Sequence, residues 1–169
     1  QSSYEQALQR FRDLGDRRGE CWLLNDLASV QARRGNHTAT GSLFAQAAQI
    51  SGELGDRHGQ AIALANLGTV LVYAGAYGRA RAGLAQAAAL FREIGDRAHE
   101  GTTLANLGWM LFDILGHPSG RHYLERAGEL LHEAGLRDGT YAHLAFLAQG
   151  YHRTGQLERV AVEPVVEYA

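Results

Sequence analysis

A short junction recurs in this chain at a fixed step of 40 residues. Residues 14–17 and 54–57 read LGDR, and residues 94–97 read IGDR. A decayed copy, AGLR, follows at 134–137, and alanine recurs at the same step at Ala7, Ala47, Ala87 and Ala127. A constant period of this size is typical of a stack of similar units, in which each unit buries its apolar face against its neighbours. The period therefore predicts a repeat fold that offers a binding surface, and it argues against an enzyme active site.

Within each period the pattern predicts two helices joined by a short turn. Gly55 can end one helix in a left-handed conformation while Asp56 caps the next, and we interpret the Asp-Arg junctions as helix caps with local ion pairs. Residues that are apolar or small then recur at three- and four-residue spacing, which indicates one helix face. In the second unit they are Ala61, Leu64, Leu67, Gly68 and Leu71, then, after a turn at 75–78, Ala80, Leu84, Ala87, Ala88 and Phe91.

Small residues occupy the positions where the two helices of one unit must approach closely. They are Ala28, Gly68, Gly108 and Ala148. A bulky side chain at Gly68 or Gly108 should overpack the helix pair, at a cost of roughly 1–3 kcal/mol.

The same plan divides the whole chain into one all-α solenoid domain over residues 1–169. We expect an orphan helix of a preceding repeat at 1–14, full repeats at 16–54, 56–94 and 96–134, a degraded repeat at 136–163 and a tail at 164–169. The third repeat has an irregular turn around Pro118, and the second helix of the fourth meets Pro164, which breaks helices. Because the chain begins at Gln1 in the middle of a repeat, we expect it to be a piece of a longer protein.

Composition excludes several classes of function. Hydrophobic residues make up 46% of the chain, so it has enough apolar surface to fold, and a net charge of −2 provides no basic field for nucleic acid. No apolar run is long enough for a membrane span, and the single Cys21 fits a reducing, cytoplasmic compartment. The eight histidines form no pair on one helix face with a carboxylate, so we expect no metal, no cofactor and no catalytic residue.

At these residues the chain resembles the tetratricopeptide repeat family. The family signature is W-x2-L-G-x2-Y followed by A-x3-F and A, in a period of about 34 residues. The second unit follows it with the residues given above, and the third with Leu104, Leu107, Gly108, Leu111, Gly120, Leu124 and Ala127, in the longer 40-residue period. The resemblance implies a right-handed superhelix in which the first helix of each unit lines the concave face.

The junction also resembles the C-terminal repeat arms of large bacterial regulators, namely signal-transducing ATPases and antibiotic-regulator-type transcription activators. That resemblance implies a sensor or oligomerisation arm in a regulatory protein. Nothing of the ATPase or DNA-binding part is present in this sequence.

The tetratricopeptide resemblance also implies a set of groove residues on the first helices. Asn66 and Asn106 occupy equivalent positions, with Asp26 at the matching place, and in peptide-binding relatives an asparagine here clamps a peptide backbone. The alternative is that these asparagines cap a helix end or bond between repeats. The full set is Trp22, Asn25, Asp26, Ser29 and Arg33 in the first unit, Ile62, Asn66, Thr69 and Tyr73 in the second, Thr102, Asn106, Trp109 and Asp113 in the third, and Phe146, Gln149 and Arg153 in the fourth.

This lining favours a protein or peptide partner that is neutral or amphipathic. Trp22, Tyr73 and Trp109 are candidate anchors for a peptide, or else they pack between adjacent helices. The chain has no lysine, and Asp26 and Asp113 oppose its arginines, which argues against capture of an acidic tail. Two other functions stay open: a small-molecule sensor, and a homo-oligomer in which incomplete end repeats cover apolar residues such as Val160, Val162, Val165 and Val166.

Overall fold

The computed structural model of the chain describes residues 3–136, which form helices joined by short turns and contain no strand. The all-α helical repeat expected from the sequence is confirmed. The elements are α1 (Ser3–Asp13), α2 (Arg17–Arg33), α3 (His37–Glu53), α4 (Arg57–Tyr73), α5 (Tyr77–Ile94), α6 (Arg97–Trp109), a π-helical turn (Met110–Ile114) that continues α6, and α7 (Ser119–Glu133).

Two compact units divide the chain, one over residues 1–96 and the other over residues 97–169. In the first unit, each of α1–α4 packs against the helix that follows it in the chain, the last of these being α5. Because the connecting turns are short, consecutive helices run antiparallel, so α2 and α4 run in the same direction. In the second unit, α6 and its π-helical turn pack against α7.

Small and large apolar side chains alternate in the core of the first unit. Leu24 packs with Ala47 and Ile50 in one buried cluster, and Phe91 packs with Ala61 in another. A third cluster joins three helices through Ala28, Phe44 and Val70. These clusters fix α2, α3 and α4 against one another, and thereby position the exposed faces of α2 and α4.

The junction residues start the helices as the sequence predicts. The Asp16 carboxylate accepts a hydrogen bond from the Gly19 backbone N–H at 2.9 Å, and Asp56 accepts one from Gly59 at 2.8 Å. Gly55, at φ +70°, ends the preceding turn in the left-handed region that other residues avoid.

The ion pairs of the junctions differ from the local pairs that we expected. Arg17 does pair with Glu20 three residues on, at 2.6 Å, but it also reaches Glu53 at 2.6 Å. The second kind of contact recurs: Arg57 pairs with Glu93 at 3.2 Å, and Arg97 pairs with Glu133. Each of these arginines begins the first helix of a repeat and bonds to the end of the second helix, 36 residues away. The junction arginine thus closes its own helix pair, a long-range contact that residue spacing does not reveal.

Two glycines mark the close helix contacts predicted from the sequence. A Cβ atom on Gly68 would lie 2.6 Å from Leu84 Cγ, and one on Gly108 would lie 2.7 Å from Leu124 Cγ. Real Cβ atoms do not approach other carbon atoms so closely, so each glycine makes room for the leucine of the facing helix.

The irregular turn predicted in the third repeat contains one extra residue before its glycine. Gly116, at φ +63°, lies 41 residues after Gly75, and the Leu115 N–H donates to the Met110 carbonyl five residues back at 3.1 Å. This bond pattern is that of a π-helical turn, which accommodates an inserted residue. α7 begins correspondingly late, at Ser119, so Leu124 keeps its position in the repeat, 40 residues after the equivalent Leu84 in α5.

Candidate functional site

The exposed faces of α2 and α4 frame two cavities that lie over opposite ends of α3. The first cavity, of about 260 Å³, is lined at the start of α2 and α4 and the end of α3 by Arg18, Cys21, Trp22, Ser51, Leu54 and Asp56. The second, of about 410 Å³, is lined at the opposite helix ends by Ser29, Ala32, His37, Phe44, Asn66, Thr69, Val70 and Tyr73. We call the two cavities and the face of α2 and α4 between them the groove.

The second cavity combines an apolar base with an aromatic wall. Phe44 and Val70 are buried beneath it, whereas the Tyr73 side chain at the end of α4 is 66% exposed. The His37 ring, at the start of α3, stacks on Tyr73 with ring centroids 6.3 Å apart and planes inclined by 17°. The cavity can therefore take an apolar or aromatic side chain of a ligand.

The first cavity lies beside Trp22, which is 71% exposed on α2. Beneath it the buried Cys21 thiol lies 3.2 Å from the Ser51 hydroxyl and 3.5 Å from the Ala47 carbonyl oxygen. Leu54 adds a partly exposed apolar side chain. A large aromatic surface therefore lies open to solvent at this end of the groove.

The polar groups on the groove differ in what they can still bind. The side-chain hydroxyls of Ser29 and Thr69 each donate a hydrogen bond to a carbonyl of their own helix, at 3.0 Å. The Asn25 amide nitrogen bonds to the Cys21 carbonyl at 3.1 Å, which holds the side chain against α2. In contrast, the exposed Asn66 carboxamide makes no hydrogen bond with any residue that the structure describes.

Three charged side chains on α2 are also exposed and have no ion-pair partner within residues 3–136: Arg18, Asp26 and Arg33. Other arginines of this region are engaged, since Arg12 and Arg17 both pair with the buried Glu20. The groove therefore presents charges of alternating sign along α2 that are available to a ligand.

The predicted site residues divide into three groups. Ser29, Asn66, Thr69 and Tyr73 line the second cavity and Trp22 lines the first, while the neighbouring Asn25, Asp26, Arg33 and Ile62 belong to α2 and α4 but line neither. Thr102, Asn106, Trp109 and Asp113 belong to α6 and the π-helical turn of the second unit, at a spacing of one helix face. Phe146, Gln149 and Arg153 lie outside the described residues.

Sequence reasoning missed the contribution of α3 to both cavities. His37 and Phe44 line the second cavity, and Ser51 and Leu54 line the first. The prediction considered only the first helix of each unit, because that helix lines the concave face in the family that the chain resembles. One feature of the sequence could have indicated this contribution: Phe44 is a large aromatic residue at the position where the next unit has Leu84.

Comparison with known proteins supports the repeat type. The tetratricopeptide repeat family matches residues 19–93, which cover most of α2–α5. The fold is similar to the crystal structure of BtubC (BKLC) from P. vanneervenii, with a TM-score of 0.80 and 20% sequence identity over 94% of this chain and 66% of that chain. No curated protein matches the sequence. None of the described helices has the length and apolarity to cross a membrane. Residues 19–93 are thus similar to tetratricopeptide repeats, which generally mediate protein–protein interaction.

Proposed function

We propose that the chain is a protein-interaction module that holds a peptide segment of a partner protein in the groove. The observation that carries the proposal is the exposed Asn66 carboxamide, which has no partner among the described residues and lies on the rim of a cavity with an apolar base. A carboxamide both donates and accepts, which matches the amide groups of an extended peptide.

The aromatic residues of the groove support the same proposal. Trp22 and Tyr73 expose 71% and 66% of their surface, although each has a cavity beside it that a partner could fill. Exposed aromatic residues beside cavities are common anchors of protein interfaces, because their burial removes a large apolar area from water.

The test compares two variants that remove one exposed amide each. Asn66→Ala removes the amide in the groove, and Gln86→Ala removes one from α5, which lines neither cavity. Partners captured from a lysate of the source organism by the original chain would be identified, purified and measured against each variant by calorimetry. We expect Asn66→Ala to weaken binding at least about tenfold, which corresponds to roughly 1.4 kcal/mol, and Gln86→Ala to leave it unchanged.

Equal loss in both variants, or no loss in either, would contradict groove binding. Circular dichroism of the variants separates loss of binding from loss of fold. Self-association remains the alternative if only copies of this chain are recovered, and sedimentation over a range of concentrations would measure it. A small-molecule sensor would instead show a rise in melting temperature with a metabolite and no protein partner.

The wider context is a proposal that rests on resemblance alone. We propose that the chain serves as the interaction arm of a larger bacterial regulatory protein in the cytoplasm, without catalytic activity, metal or cofactor of its own. The LGDR junctions support this context through their resemblance to the repeat arms of such regulators. If the parent protein is such a regulator, the Asn66→Ala substitution within it should change its regulatory output, and that result would support the proposed context.

A further inference from the structure

We infer that the groove selects an extended segment with two apolar side chains four residues apart, a basic side chain between them and an acidic side chain outside each. The inference rests on the proposed function and adds the chemistry of the partner. It follows from the spacing of the two cavities, from the Asn66 carboxamide and from the order of charges along α2.

The cavity spacing fixes the separation of the two apolar side chains. Along α2, the first cavity is lined by Arg18, Cys21 and Trp22 and the second by Ser29 and Ala32, so the two sets are centred about ten residues apart, or roughly 15 Å of helix. An extended chain advances about 3.3 Å per residue and directs alternate side chains to the same face, so residues four apart lie on one face about 13 Å from each other. The two apolar side chains can tilt away from each other and so span the small difference between these two distances.

The state of Asn66 favours an extended segment over a helical one. Asn66 is the first α4 residue that lines the second cavity, and its carboxamide has no partner among the described residues. The backbone of an extended segment has unpaired amide and carbonyl groups that this side chain can bind. A helical segment has already paired the backbone groups of its middle turns internally, so this part of its backbone offers the carboxamide no group to bind.

The charges along α2 fix the order of charges in the segment. Arg18 lines the first cavity, Arg33 follows the last α2 residue of the second, and Asp26 lies between them, all exposed and without an ion pair within residues 3–136. A segment of complementary charge therefore carries acidic residues at its two ends and a basic residue at its centre. Complementary charges of this kind set the register and exclude partners of the wrong sign more than they add affinity.

The direct test is selection from a display library of random nonapeptides on the immobilised chain. We expect enriched peptides to carry apolar residues at the third and seventh positions, Lys or Arg at the fifth, and Asp or Glu at the first and ninth, so that all five side chains lie on one face of the extended segment. Parallel selection on the Asn66→Ala variant identifies the peptides that depend on the groove.

The outcomes separate this inference from the proposed function. Enriched peptides that depend on Asn66 but follow another pattern would overturn the inference and leave groove binding standing. Peptides enriched equally on both proteins, or no enrichment at all, would overturn both.

A charge exchange tests the register on the selected peptides themselves. Asp26→Arg replaces the central negative charge at an exposed position, so the variant should fold, which circular dichroism checks. A selected peptide should lose up to about fivefold in affinity for this variant, as expected for one exposed ion pair. Replacing its central basic residue by Glu should restore binding to the variant and weaken binding to the original chain. If the effect of the peptide's central charge on affinity were the same whichever residue stands at position 26, the assigned register would be contradicted.

Discussion

Glu20 shows how a single residue in the first unit is held in its charged form. Its side chain is buried, with Arg12 Nε 2.7 Å from one carboxylate oxygen and Arg17 Nη1 2.6 Å from the other. Burial alone would raise the pKa of Glu20, but the hydrogen bonds from the two arginines outweigh it, and the pKa lies below its ordinary value. The carboxylate therefore stabilises the folded chain at any pH at which it is ionised.

The sign of this effect gives a pH-dependent prediction. Because the folded pKa is lower than the unfolded one, the stabilisation is fully present above the unfolded pKa and is lost as pH falls through the folded pKa. Glu20→Gln copies Gln60, the residue 40 positions on, and should lower the free energy of unfolding by about 1–3 kcal/mol at pH 7. Urea titrations at pH 7 and near pH 3 measure the difference, which should shrink at the lower pH. An equal cost at both values would contradict the ionic explanation.

Glycines on the facing helices of one repeat give a matched pair of packing predictions. Gly68→Ala would bring a Cβ within 2.6 Å of Leu84 Cγ and 3.2 Å of the Leu84 backbone nitrogen, so it should destabilise the chain by about 1–3 kcal/mol. Gly83→Ala on α5 would meet nothing closer than 3.6 Å, and the gain in helix propensity should stabilise the chain by up to about 1 kcal/mol. Thermal unfolding of both variants would reveal opposite shifts, and shifts of the same sign would contradict this account.

The arginine contacts that close each helix pair are regular but exposed. Arg57 and Glu93 each keep 61% of their side-chain surface in solvent. An exposed pair of this kind contributes at most about 1 kcal/mol, and salt screens it. A double-mutant cycle with Arg57→Ala and Glu93→Ala should therefore give a small coupling energy that disappears in 1 M salt. A larger coupling that persists in salt would mean that the pair holds the hairpin together.

The elements also show where sequence reasoning reaches its limit. The 40-residue period and the junction glycines predicted an all-α repeat, since a left-handed glycine and a capping aspartate both act locally. The π-helical turn at Met110–Ile114 was predicted only as an irregular turn, because its geometry depends on how one extra residue is accommodated while Leu124 keeps its packing position. That choice is made by tertiary packing, which a repeat pattern in the sequence does not contain.

The groove was only partly predictable, because its shape also depends on tertiary packing. The exposed residues of α2 and α4 follow from helical spacing, and Ser29, Asn66, Thr69 and Tyr73 do line one cavity. The contribution of α3 depends on how deeply that helix lies between its neighbours, and the sequence gives no measure of that depth. The hydrogen bonding of the side chains could not be predicted either: helical spacing identifies Asn66, but only the structure reveals that its carboxamide makes no hydrogen bond within the described residues.

A stack in which each helix packs mainly against its sequence neighbours should not be uniformly stable. Within the first unit, α1 has no buried residue and packs mainly against α2. In contrast, α4 and α5 pack against each other around the buried Phe91 and Leu84. In such an array, a helix at the end has fewer neighbouring contacts to lose, so its local opening costs less free energy than that of a helix in the middle. Hydrogen exchange followed by mass spectrometry should therefore find the amides of α1 exchanging much faster than those of α4 and α5.

The Gly68→Ala variant turns this expectation into a test of coupling between repeats. If stability is a sum of contacts between neighbours, the substitution should speed exchange most in α4 and α5, less in α3, and least in α1, where protection is already low. Gly83→Ala provides the matched control and should leave the exchange of every helix unchanged or slower. Uniform acceleration across α1–α5 would instead mean that the first unit opens as one cooperative block, and the groove would then lose its shape in a single step rather than end by end.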